Sequence, residues 1–75
     1  MAAKKKTRDV EVSYTRKQFS EKLRRLADSV ETGKAFRIQV GKERIYVSAD
    51  ATFNVEHERS KGSEELEFQL KWKPE

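Results

Sequence analysis

At Gly33 the spacing of apolar side chains changes period, and it does not change back. Before that glycine, Phe19, Leu23, Leu26, Ala27 and Val30 recur at offsets of 4, 3, 1 and 3. At about 100° per residue they fall on one helix face roughly 100° wide. After it the period is two. Phe36, Ile38 and Val40 alternate with polar residues, as do Ile45 and Val47, then Phe53 and Val55, then Leu66, Phe68, Leu70 and Trp72. Side chains alternate across a strand, so each of these runs has one apolar face and one wet face. A chain of this pattern folds as one helix followed by half-buried strands.

Local signals set the boundaries. Thr15 and Gln18 stand at capping-box spacing, which predicts a helix over about 16–32, and Gly33 suits the left-handed position that ends it. Gly41 and Lys42 mark a tight hairpin turn, Ala49 to Ala51 a second turn, and Ser60 to Ser63 a third. Upstream of the helix, Val10, Val12 and Tyr14 alternate with Glu11 and Ser13, which predicts a further strand. The expected order is β-α-β-β-β-β: an α+β fold with a mostly antiparallel sheet and the helix packed across one face. The first strand is expected at an antiparallel edge beside the last; a right-handed crossover beside the second is the alternative. Residues 9–75 form a single domain on this reading, and residues 1–8 a mobile basic tail.

Composition limits the chemistry. The 75 residues are 35% hydrophobic and 40% charged, a size at which one core is only marginally stable. There is no cysteine, hence no disulfide and no thiolate metal site. No apolar run approaches the ~20 residues of a membrane span, and the expected compartment is the cytoplasm.

Catalysis finds no constellation. The single imidazole, His57, extends the row of Phe53 and Val55, while its neighbours Glu56 and Glu58 point to the opposite strand face and cannot orient it. Glu56, Glu58 and Glu67 are candidates for a paired-acid site, but Lys71, Arg44 and Arg59 lie near them in the expected register. A solvated face of mixed ion pairs is therefore expected. Gly33, Gly41 and Gly62 are isolated turn residues, not a phosphate loop. The expectation is a non-enzymatic chain with no catalytic residues, no cofactor and no metal.

Charge is unevenly placed. Residues 1–48 carry thirteen Lys/Arg against six Asp/Glu, or +7; residues 49–75 carry four against seven, or −3, for the total of +4. Within the helix, Arg16 and Lys17 open the first turn while Asp28 and Glu31 close the last, the reverse of what the helix dipole favours. Together with Lys4, Lys5 and Lys6 they form a candidate anion-binding site for a phosphate or nucleic acid. Nucleic-acid folds give this little support, because a single helix excludes helix-turn-helix and RRM architectures. Tyr46, near Arg37 and Arg44, is the one aromatic residue expected on the outer sheet face.

Geometry raises a second candidate surface. One helix is ~10–12 Å wide, about half the width of a five-stranded sheet with strands ~4.8 Å apart. Part of the apolar sheet face is therefore expected to remain uncovered. Phe68 and Trp72 at one edge, or Phe36 and Ile38 at the other, are the candidate interface for a homodimer or a protein partner.

The amphipathic first run, the helix core Leu23-Arg24-Arg25-Leu26-Ala27-Asp28, and the closing alternation Leu66-Glu67-Phe68-Gln69-Leu70-Lys71-Trp72-Lys73 resemble the amphi-Trp domain family over about Val10 to Lys73. The basic tail departs from the family's acidic members. The resemblance implies a small domain of uncharacterised function and transfers no catalytic residue.

Overall fold

A computed structural model describes residues 7–74. Helix α1 (Arg16–Thr32) is followed by strands β1 (Phe36–Val40), β2 (Glu43–Val47), β3 (Thr52–Ser60) and β4 (Ser63–Lys71). The fold is α+β, one helix leading into antiparallel hairpins.

The helix begins where its capping box says it must. Thr15 Oγ1 accepts the Gln18 backbone N–H at 3.2 Å, and Gln18 Oε1 accepts the Thr15 N–H at 3.1 Å. It ends at Gly33, whose φ of 71° is the left-handed conformation that an L side chain disfavours.

Both hairpins turn through two residues. Gly41 and Lys42 join β1 to β2 in the register Phe36↔Val47, Ile38↔Ile45, Val40↔Glu43. Lys61 and Gly62 join β3 to β4 in the register Phe53↔Leu70, Val55↔Phe68, His57↔Leu66. Apart from Tyr46 of β2, the apolar residues of each strand therefore lie on one face of its hairpin, as the alternation requires.

Two expectations differ from the structure. The strands form two separate two-stranded sheets, not one continuous meander. The break lies at Ser48 to Ala51. Ser48 satisfies the turn locally, its carbonyl accepting the Ala51 N–H at 3.1 Å and its hydroxyl the Asp50 N–H at 3.0 Å. Ala51 then turns into the core beside Phe36 and Val47, so the second hairpin leaves without extending the first ladder.

The second difference concerns Val10 to Tyr14, which join no sheet. Two arginine side chains bond the β1 backbone instead. Arg25 Nη2–H donates to the Arg37 carbonyl at 2.8 Å, and Arg8 Nη2–H donates to the Val40 carbonyl at 2.8 Å. The Arg37 carbonyl is an outward-facing acceptor that a fifth strand would use, whereas the Val40 carbonyl, three residues on, faces the turn to β2, where Arg8 adds a donor. Arg8 also pairs with Glu43 at 3.0 Å, so this member of the expected mobile tail is held against the first hairpin. Met1 to Lys6 lie outside the described residues.

The core is small. Among the described residues only Phe36, Val47 and Ala51 are buried, with Leu26, Ile38, Ile45, Leu70 and Trp72 packed around them. The chain exposes 7160 Å², where a compact monomer of its mass exposes about 4800 Å². The Cα radius of gyration, 14.6 Å, likewise exceeds the ~11 Å of a compact domain of this length.

Candidate interaction surface

Most of the helix stripe does not reach the core. Leu26 packs against it, but Phe19, Leu23 and Val30 remain exposed. Facing Leu23 and Val30 across an open groove of about 530 Å³ is the apolar side of the β3–β4 hairpin. Leu23, Leu26 and Val30 form one wall, and Phe53, Val55 and Phe68 the other. All four apolar residues besides Leu70 on this hairpin are more than half exposed: Phe53 57%, Val55 58%, Leu66 63% and Phe68 66%.

The distal end of this apolar face closes in a polar cap. Glu64 Oε1 lies 2.9 Å from His57 Nε2 and accepts a hydrogen bond from Arg59 Nη2 at 3.2 Å. These bonds, His57's first and Arg59's second, hold the Glu64 carboxyl below its ordinary value. Sequence reasoning had considered only Glu56 and Glu58 as partners for His57. Glu64 comes within reach because the tight turn at Lys61–Gly62 brings it back diagonally across the ladder.

On the opposite hairpin face the expectation of mixed ion pairs is overturned. The register sets Glu56 against Glu67 and Glu58 against Glu65, like charge on like charge. Glu56, then Glu65 and Glu67, push the Glu58 carboxyl above its ordinary value. A two-residue turn fixes the pairing, and these glutamates fall at matching distances from it. Gln69 links part of this face, accepting from Asn54 at 2.9 Å and donating to Glu67 at 3.1 Å. No group of three or more His, Cys, Asp or Glu among the described residues is placed to hold a metal ion.

Of the four residues expected at an interface, Phe68 alone stands in the open. Phe36 is 6% exposed and anchors the core, while Ile38 and Trp72 are half-buried against it. The residues that the sequence reading missed are Phe19, Leu23, Val30, Phe53, Val55 and Leu66. Their signal was present in the pattern but identical to that of a core residue.

The helix start offers an anion less than its charge suggests. Arg16 and Lys17 are exposed there, but the Gln18 N–H is bound by Thr15 Oγ1 and the Phe19 N–H by the Thr15 carbonyl at 2.9 Å. Lys4, Lys5 and Lys6 lie outside the described residues. Tyr46 is on the outer face of the first hairpin as expected, with the Arg37 guanidinium 5.1 Å from its ring centre.

No described helix is long and apolar enough to cross a membrane. No curated protein and no solved structure matches this chain. The model of one family does, the Amphi-Trp domain, and it matches residues 1–75, the whole length. The chain belongs to the Amphi-Trp domain family.

Proposed function

We propose that this chain is a non-enzymatic interaction module that closes its open groove against a second copy of itself. The observation that supports this reading is the inversion of burial in the β3–β4 hairpin. Its apolar residues Val55, Leu66 and Phe68 are exposed, while Glu56, Glu67 and Gln69 on its polar face are half-buried.

The size of the uncovered surface fits a subunit interface. Phe19, Phe53 and Phe68, each more than half exposed, leave on the order of 300–400 Å² of aromatic surface in water, taking about 150–250 Å² per aromatic side chain. Leu23, Val30, Val55 and Leu66 add a comparable area. The total approaches the about 800 Å² per partner of a standard interface and exceeds the largest patch of a typical monomer, about 300–600 Å².

A second copy is the occupant because the surface matches itself. It joins a helix stripe to a flat apolar hairpin face, and a two-fold axis sets each against its like or its complement. The four glutamates then remain on the outside in water. A partner helix or strand of other origin would need the same apolar chemistry, which this chain already carries.

Polyanion binding by the tail and helix start is the competing reading. It rests on exposed Arg16 and Lys17 alone among the described residues, and it predicts steep loss of binding with salt. Sedimentation equilibrium from low to high micromolar concentration, at two salt concentrations, separates the two. The expected result is twice the 8.8 kDa chain mass at both salts, reverting to one chain mass in Phe68→Glu. A wild-type monomer throughout the range overturns the proposal.

A further inference from the structure

Away from the groove, three arginines converge on one recess. Arg25 of α1, Arg37 of β1 and Arg44 of β2 line a cavity of about 460 Å³ beside the edge of the first hairpin. Arg37 and Arg44 are neighbours on its outer face, diagonal across the ladder pairs Arg37↔Tyr46 and Gln39↔Arg44.

Two of the three are fixed in place. Arg25 lies 5.0 Å from the Phe36 ring centre and donates to the Arg37 carbonyl at 2.8 Å. Arg37 lies 5.1 Å from the Tyr46 ring centre. Stacked guanidinium groups keep in-plane N–H donors free at their edges while losing little further freedom on binding.

None of the three forms an ion pair among the described residues, where the pairs are Arg8–Glu43, His57–Glu64 and Arg59–Glu64. Asp28, on the helix side of the recess, is the one carboxylate lining it. Three positive charges against one leave a local charge of +2. Three guanidinium groups lining one recess with a single carboxylate set up a field that favours an anion there.

We propose that Arg25, Arg37 and Arg44 form a binding site for a phosphate monoester. A phosphate monoester carries a charge of about −1.5 to −2 at neutral pH, which matches the recess, and its oxygens suit the guanidinium fork. This site is separate from the anion site considered at the helix start and independent of self-association. Arg16 and Lys17 are not among the residues lining it.

Titration with phenyl phosphate, followed by the arginine Nε–H resonances in NMR, tests the assignment. The expected result is saturable shifts confined to Arg25, Arg37 and Arg44. Arg37→Gln and Arg44→Gln are each expected to weaken binding about tenfold, as for loss of a hydrogen bond to a charged group. Arg24→Gln, a helix arginine that does not line the recess, is expected to leave it unchanged.

Four results overturn the proposal. One is shifts spread evenly over all basic residues. A second is binding that survives both substitutions. A third is binding of a thymidine oligonucleotide in place of phenyl phosphate, which assigns the recess to a phosphodiester backbone. The last is conversion of a dimer to monomer by Arg37→Gln or Arg44→Gln, which assigns the recess to the acidic face of a second copy.

Discussion

Glu56 and Glu67 face each other directly across the β3–β4 ladder, and Glu58 faces Glu65 two pairs beyond, on the same face. Like charges opposite one another destabilise a hairpin, and here no basic side chain intervenes to form an ion pair among the described residues. Replacing Glu67 by Lys turns a repulsive pair into an attractive one. The expected gain is about 0.2–1 kcal/mol, or a rise in Tm of about 1–8 °C for a domain of this size, measured by thermal unfolding at low salt. The gain shrinks as salt is added.

The same cluster predicts a pH dependence with a defined sign. Glu58 has its folded pKa raised above the ordinary 4.5, mainly by Glu56. Its contribution to stability is present below the unfolded value and is lost as pH rises through the folded value. Glu64 works oppositely: its pKa is lowered, so its contribution is present above 4.5 and lost as pH falls through the folded value. Thermal unfolding of Glu58→Gln is expected to remove the decline just above pH 4.5. Glu64→Gln is expected to remove the decline below it.

Thr15 supports helix α1 from outside it. Its hydroxyl and the Gln18 amide bind each other's backbone N–H groups, and the first turn has no acidic side chain to add support. Thr15→Ala is expected to cost about 0.5–2 kcal/mol. Circular dichroism during chemical unfolding reads this as a lower midpoint with an unchanged slope.

Phe36 and Phe68 test the core and the proposed self-association separately. Phe36 is buried at the centre of the core, and Phe36→Ala is expected to cost about 3–5 kcal/mol, enough to unfold most of a chain this small. Phe68 is exposed on the groove wall. In Phe68→Ala the expected change is loss of the concentration dependence of Tm, with the dilute-solution Tm little altered. Calorimetry at two protein concentrations reads both effects.

The elements themselves were legible before any tertiary information. Phe19 to Val30 declared a helix, Thr15 and Gly33 its ends, and Gly41 and Gly62 the two tight turns, because each depends on contacts only a few residues apart. Turn length also determined the hairpin registers, and with them which residues share a face. Uncovered apolar surface was expected from the width of one continuous five-stranded sheet, whereas in the structure it accompanies the splitting of the strands into two hairpins.

Tertiary structure decided what those faces meet. Periodicity says that Phe36 and Phe68 each point to an apolar side, but not that Phe36 is enclosed while Phe68 faces an open groove. That depends on the Ser48–Ala51 turn, which sends the second hairpin away from the first, on Arg25, which takes an outward carbonyl of β1, and on Arg8, which bonds Val40 at the turn, while Val10 to Tyr14 join no sheet. Such bonds join residues as far apart as Arg8 and Val40, and no local period encodes them. The sequence alone determined the pieces and their apolar faces; the long-range contacts decided which face stayed open.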